Sequence, residues 1–203
     1  MKKIVYILPF ITLLLLSCND QRKQLSPNDY IAWAKKSEKD LVKVKEIRGY
    51  RFTSKLQPSE LLVIKNMNDI ASQEELDSLN KIQRGIVNIV LDIGSVNNQQ
   101  SLLRANITDE SEYYQRVFYY TSEVQRDLYL VEGTDTLRCA FYHFEQTYNL
   151  TPVNSMIMEF ERINPDSEFE DLSLVYDDRI LNTGIMKFSY KKAFLNNLPE
   201  LKL

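Results

Sequence analysis

Three side chains in one short segment could together activate a nucleophile: Cys139, His143 and Glu145. A histidine can remove the proton of a cysteine thiol, and an acid can orient that histidine. The flanking residues alternate as in a β-strand, which predicts one shared face for Leu137, Cys139, Phe141, His143 and Glu145. Residues four apart on a strand lie about 13 Å from each other, whereas a proton transfer needs about 3 Å. We therefore expect an unreactive, buried Cys139 and no catalytic residue here; only on a helix would Cys139 and His143 be neighbours.

Carboxylates form the second candidate group, since the chain has 28 Asp and Glu residues. The densest groups are Asp166, Glu168, Glu170 and Asp171 in one segment and the adjacent pair Asp177 and Asp178. Oxygen ligands at alternate positions can bind Ca²⁺, but the spacing of an EF-hand is missing. We expect residues 166–171 to form a solvated acidic connection without a metal. Two carboxyls at a set separation would also suit a glycan hydrolase, and a sequence does not measure that separation.

The glycines and the single histidine exclude several common reaction types. The glycines are Gly49, Gly85, Gly94, Gly133 and Gly184. A dinucleotide site needs G-x-G-x-x-G, a phosphate loop needs G-x-x-x-x-G-K, and a hydrolase elbow needs G-x-S-x-G. No two of these glycines have any of the spacings required, so none of the three motifs is present. One histidine cannot form an H-E-x-x-H zinc site, and the sequence predicts neither a metal nor a cofactor.

Composition and charge are those of an ordinary globular protein. Of 203 residues, 44% are hydrophobic and 26% are charged, which excludes disordered and multi-span membrane proteins. Lys and Arg number 25 against 28 Asp and Glu, and the pI is about 5.4. Nucleic-acid binding requires a basic face, so we expect no nucleic-acid partner.

The N-terminus has the pattern of a secretory signal. Lys2 and Lys3 precede an apolar run, Ile4 to Leu16, which would span about 20 Å as a helix and is too short for a bilayer core of about 30 Å. The next residues complete the motif Leu15-Leu16-Ser17-Cys18, which resembles the lipobox of bacterial lipoproteins. The resemblance covers residues 1–18 only. It implies removal of residues 1–17 and acylation of Cys18 on its sulfur and on its new amine.

The lipobox resemblance also implies a location. The acylated Cys18 would bind a membrane, and Asn19 in place of Asp favours the outer membrane, with the domain on its periplasmic face. Cys139 would then be the only thiol of the mature chain, so no intramolecular disulfide can form. We expect residues 1–17 to be the signal peptide, 18–25 the acylated Cys and a tether, and 26–203 a single globular domain.

The remaining pattern predicts an α+β fold, mainly antiparallel β, with a sandwich-like or single sheet and two or three helices. Helices are expected after the N-cap pair Ser26-Pro27, after the capping box from Ser72 to Glu75, and after Asp109 with Glu112. Strands are expected at residues 41–44, 50–56, 61–64, 86–93, 128–131, 137–144, 155–160, 172–176 and 185–190, and a polar loop at 97–100.

An aromatic cluster runs around the third predicted helix. Its members are Tyr113, Tyr114, Phe118, Tyr119 and Tyr120. Such a helix is either buried between two layers or has an exposed aromatic face that could contact a sugar or a protein.

The strong anchor motif and the missing catalytic motifs together indicate a function class. We expect a non-enzymatic, lipid-anchored envelope domain that binds a protein or a glycan. The alternatives are a carboxylate-dependent glycan hydrolase and an immunity-type lipoprotein that blocks an incoming toxin.

Overall fold

The computed structural model describes residues 22–65, 72–96, 101–147 and 151–202. Within these ranges no helix combines the length and the apolarity that crossing a membrane would need. Cys18, the signal segment and the predicted loop at 97–100 lie outside the described residues.

Six α-helices and ten β-strands lie in the described residues, and the fold is α+β with mainly antiparallel β-structure, as predicted. The predicted number of two or three helices is wrong, because three further helices have only four to seven residues and are too short to show a helical period in the sequence. The helices are α1 Pro27–Lys36, α2 Glu38–Leu41, α3 Ser59–Lys65, α4 Gln73–Gln83, α5 Glu110–Phe118 and α6 Lys192–Leu195. The strands are β1 Gln24–Leu25, β2 Val42–Ile47, β3 Tyr50–Gln57, β4 Ile86–Ser95, β5 Leu128–Glu132, β6 Asp135–Glu145, β7 Val153–Glu161, β8 Leu172–Asp178, β9 Gly184–Tyr190 and β10 Glu200–Leu201. A π-helical turn, Tyr119–Glu123, and a 3₁₀ turn, Val124–Arg126, continue α5.

Eight strands form one antiparallel sheet in the order β2-β3-β4-β7-β6-β5-β8-β9. The sheet curls until its two edge strands approach each other. Ser54 on β3 hydrogen-bonds Tyr190 on β9 with 2.7 Å between the hydroxyl oxygens, and the Lys43 ammonium of β2 lies 5.8 Å from the centre of the Tyr190 ring. The sheet is therefore single and almost closed, and not a sandwich.

The concave face of the sheet encloses the main core. Alternate residues point into it, for example Phe52, Ile89, Leu91, Met158, Leu174 and Phe188, all of which are fully or almost fully buried. The helix after Asp109 covers one opening of this core, with Tyr120 and Val124 buried against the sheet. The predicted strands at residues 50–56, 86–93, 155–160, 172–176 and 185–190 are confirmed.

The predicted helix caps are confirmed as well. The side chains of Ser26, Ser72 and Asp109 accept hydrogen bonds from backbone N–H groups in the first turns of α1, α4 and α5. The β2–β3 hairpin turns through Arg48 and Gly49, both with positive φ (51° and 79°), as a two-residue hairpin turn of the primed type requires.

A second, smaller core lies outside the sheet. It contains Leu25, Tyr30, Val63, Leu76 and Leu201. β1 and β10 form a separate parallel pair beside it, in which Gln24 lies opposite Glu200 and Leu25 opposite Leu201. The last two residues of the predicted tether thus pair with the C-terminal end of the chain.

The predicted strand at residues 61–64 is wrong. The segment lies in helix α3, Ser59–Lys65, which follows Pro58. A run of four apolar residues fits a buried helix as well as a strand, so periodicity does not decide between them. The second core decides it, because Val63 is buried there while Leu61 and Ile64 pack at its edge.

Candidate functional site

The structure separates the Cys–His–Glu trio. In β6, a β-bulge lies between Cys139 and Phe141, so the alternation of faces changes at this point. Cys139 lies opposite the buried Phe160 and packs against the core, whereas His143 is exposed. The predicted common face is therefore wrong, because one additional residue in the strand reverses the direction of those that follow. Cys139 and His143 do not form a catalytic pair.

The Cys139 thiol is also electronically unsuited to nucleophilic attack. Its partial burial beside the core raises its pKa to about 11. The reactive species is the thiolate, which this pKa makes rare at neutral pH. The prediction that Cys139 is buried is met only in part, because the residue is half-buried, and its low reactivity stays a prediction.

The acidic segment between β7 and β8 pairs with lysines. Asp171 accepts hydrogen bonds from the Lys191 ammonium (2.8 Å) and the Lys192 backbone N–H (2.9 Å), and the Lys191 contact lowers the pKa of Asp171. Glu170 accepts one from the Lys192 ammonium at 3.0 Å. Across the described ranges no three His, Cys, Asp or Glu side chains gather closely enough to hold a metal ion.

The Arg162 side chain binds this acidic segment to the sheet. Its side chain is 2% exposed and donates to both carboxylate oxygens of Glu132, at 2.6–3.1 Å. It also donates to backbone carbonyls of the segment, those of Pro165, Ser167 and Glu168. Its guanidinium lies 3.9 Å from the centre of the Phe169 ring. The segment is therefore fixed to the sheet by a buried ion pair, which the sequence pattern did not indicate.

Asp177 and Asp178 point in different directions because they are neighbours in β8. Asp177 pairs with Arg179 at 2.8 Å at the surface. Asp178 is 5% exposed and caps the β8–β9 turn. Its oxygens accept hydrogen bonds from the N–H groups of Ile180, Leu181 and Thr183 and from the hydroxyls of Thr183 and Tyr176. These two acids do not form a catalytic carboxylate pair.

A cavity of about 470 Å³ lies between α3, α4, the β1–β10 pair and the adjoining ends of β3, β4 and β8. One part of its wall is apolar and contains Leu56, Leu195 and Leu201. The other part is unusually rich in side-chain amides: Gln24, Gln57, Gln73, Asn80, Gln83 and Asn88. A concave apolar site with a few polar groups is the usual form of a small-molecule site.

Two of these amides carry buried atoms without a hydrogen-bond partner among the described residues. Asn88 of β4 is 7% exposed, and its Nδ2 donor is unpartnered. Asn80 of α4 has an unpartnered Oδ1 acceptor. The great majority of buried polar groups are hydrogen-bonded, so Asn88 and Asn80, which both line the cavity, are the residues of its wall whose polar atoms are not fully used by the protein.

A carboxyl completes the polar wall. Glu60 of α3 accepts hydrogen bonds from the hydroxyls of Tyr30 and Ser59, each at 3.2 Å. Burial raises the pKa of Glu60, although these hydrogen bonds and the charge of Arg84 act in the opposite direction. In its protonated form this carboxyl both donates and accepts hydrogen bonds.

The raised pKa of Glu60 predicts a specific pH dependence of stability. The folded protein keeps the Glu60 proton at pH values where the unfolded chain, with the ordinary pKa of 4.5, has lost it. This contribution is fully present below pH 4.5 and is lost as the pH rises through the folded pKa, so the free energy of unfolding falls over that window. In Glu60→Gln this decline is expected to be missing. Urea unfolding of both proteins between pH 4 and 8 measures it.

Glu74→Gln is the matched control, since Glu74 is an exposed residue of α4. Its pH profile should follow that of the wild type. Parallel profiles for the wild type and Glu60→Gln would contradict the prediction.

Charged side chains at the cavity are nearly balanced. Arg22, Arg84 and Lys202 line it together with Asp77 and Glu200. Arg84 and Glu200 form an ion pair at 3.8 Å. The cavity therefore lacks the strong field of one sign that would concentrate a highly charged ligand.

The aromatic helix α5 is exposed on its outer side. Tyr113 and Val117 pack against the core, while Tyr114 and Phe118 are 66% and 60% exposed. Of the two alternatives, burial between two layers is thus wrong, because the side of α5 that carries Tyr114 and Phe118 is exposed.

Comparisons with known proteins give no family. Neither a family model nor a curated protein matches the chain. The chain is similar to a solved structure of a protein of unknown function from Burkholderia pseudomallei K96243. The two sequences are 12% identical, the match covers 86% of this chain and 94% of that one, and the TM-score is 0.32. A TM-score of this size supports no inference about fold or function.

Proposed function

We propose that this protein is a lipid-anchored envelope domain that binds a small ligand in the cavity between α3, α4 and the β1–β10 pair. The observation that carries the proposal is the cavity itself, whose wall combines leucines with side-chain amides and includes Asn88, a buried residue with an unpartnered amide nitrogen. An unsatisfied buried donor costs stability, and a role in ligand binding would account for an asparagine at this position.

The expected anchor would hold this cavity near a membrane. The lipobox resemblance assigns acylation to Cys18, and Arg22 lines the cavity. Four residues of extended chain span at most about 14 Å, so the cavity rim would lie within that distance of the acylated residue. Several acyl chains together anchor a protein stably, since each buried methylene contributes about 0.8 kcal/mol.

Metabolic labelling with an alkyne fatty acid tests the anchor. The wild type and Cys139→Ser should be labelled and remain with the outer membrane fraction. Cys18→Ser should lose the label and leave that fraction. Equal labelling of all three proteins would contradict acylation of Cys18.

Ligand capture from the envelope tests the binding role. The purified lipoprotein is equilibrated with the low-molecular-mass fraction of an envelope extract and washed, and the retained compounds are identified by mass spectrometry. The wild type should retain a compound, and so should Gln115→Ala, which removes an exposed amide of α5. Asn80→Phe, which fills the cavity from α4, should not. Retention by none of them, or by all three equally, would contradict the proposal.

Glu60 favours a second candidate function, a carboxylate-dependent glycan hydrolase. A carboxyl with a raised pKa in a cavity can act as a general acid, and Asp77 and Glu200 line the same cavity as possible second carboxyls. A binding domain should hold glycan fragments without cleaving them, both as wild type and as Glu60→Gln. Cleavage by the wild type that Glu60→Gln abolishes would favour the hydrolase.

A further inference from the structure

The amides of the cavity wall restrict the chemistry of its ligand. Asn88 and Asn80 both line the cavity, and neither the Asn88 Nδ2 donor nor the Asn80 Oδ1 acceptor has a partner in the described residues. A side-chain amide both donates and accepts hydrogen bonds, whereas a carboxylate only accepts them and an ammonium only donates them. A hydroxyl group does both, so a ligand with several hydroxyls complements a wall of amides. Glu60, with Tyr30 and Ser59 bound to it, adds a further polar contact on the α3 side.

The remaining wall agrees with an uncharged, ring-shaped ligand. The charged residues of the rim are nearly balanced, and Arg84 is already paired with Glu200. Leu56, Leu195 and Leu201 supply apolar surface to the same cavity. A sugar ring has polar hydroxyls at its edge and apolar C–H groups on its faces. The volume of about 470 Å³ lies within the usual range for small-molecule sites.

We infer that the cavity binds an uncharged saccharide unit, with Asn88 and Asn80 hydrogen-bonding its hydroxyls and the leucines contacting a ring face. The inference rests on the proposed function and adds to it the ligand class and two recognition residues. N-acetylated sugars suit it best, because their amide and methyl groups match the mixed amide and apolar wall.

Calorimetric titration of the purified, acylated protein with N,N′-diacetylchitobiose tests the inference. The variant is Asn88→Val, which removes the amide and retains a residue that favours β-strands. Its affinity for the disaccharide is expected to fall at least tenfold, while its urea midpoint stays equal or rises, because an unsatisfied buried donor has been removed. A purely structural role of Asn88 would instead lower the midpoint. Gln115→Ala should bind like the wild type.

Two further probes separate the possible failures. Binding of the dipeptide Ala-Ala in place of the disaccharide, weakened by Asn88→Val, would overturn the saccharide inference and leave the proposed binding function intact. No binding of either probe would overturn the inference, and the capture experiment then decides on the proposed function. If the chitin tetramer binds more tightly than the disaccharide, the natural ligand is part of a glycan chain. If the two bind equally, the natural ligand is a free sugar. Both results support the inference.

Discussion

Arg162→Ala is expected to lower the free energy of unfolding by about 3–5 kcal/mol, the usual cost of removing one partner from a buried ion pair. The Arg162 side chain is 2% exposed and that of its partner Glu132 is 11% exposed. The substitution leaves the Glu132 carboxylate buried without a counter-charge. It also removes the donors for three carbonyls of the acidic segment and the contact with Phe169.

Urea unfolding at neutral pH measures this loss. Arg162→Lys should recover only part of it, because an ammonium does not reproduce the planar, multiple hydrogen bonds of a guanidinium. Arg51→Ala is the control, since the Arg51–Glu46 pair is exposed and should contribute at most about 1 kcal/mol. A loss of similar size in Arg51→Ala and Arg162→Ala would contradict the assigned role of Arg162.

Asp178→Ala is expected to destabilise the fold by at least about 3 kcal/mol, because hydrogen bonds to a charged group contribute about 1.5–3 kcal/mol each and several are lost together. The N–H groups of Leu181 and Thr183 would lose their acceptor at the β8–β9 turn. Asp178→Asn keeps one acceptor oxygen and should lose about half as much. Thermal and urea unfolding of the three proteins provide the measurement.

Asp177→Ala is the matched control, one residue away on the opposite face of β8. Its carboxylate pairs with Arg179, whose side chain is 61% exposed, so the expected loss is below about 1 kcal/mol. A larger loss for Asp177→Ala than for Asp178→Ala would show that the buried turn cap is not what stabilises this corner.

Much of the secondary structure could be predicted from local patterns. Ser26 and Ser72 indicated helix starts because a cap depends on residues within one turn. The alternation in residues 50–56 indicated a strand with one buried face, since side chains on a strand alternate with period two. Cys139 and His143 show the limit of this reasoning, because one bulge in β6 reversed the predicted face of His143.

The candidate site was not predictable in the same way. Tyr30 and Glu60 are unremarkable in the sequence, and the acids that drew attention, Asp171 and Asp178, stabilise turns and loops. The polar character of Asn88 within the apolar strand 86–93 was the available signal, since a polar residue in a buried strand needs an explanation.

By itself the sequence determined the α+β class, the starts of α1, α4 and α5, most of the strands, and the absence of the common nucleotide and zinc motifs, and it predicts the anchor at Cys18 from residues 1–18. Only the tertiary structure decided which groups lose contact with water. The raised pKa of Glu60 and the unpartnered Asn88 amide both result from α3, α4 and the β1–β10 pair covering the same sheet end. Desolvation depends on neighbours that are far apart in the chain, and local patterns contain no information about which of them meet.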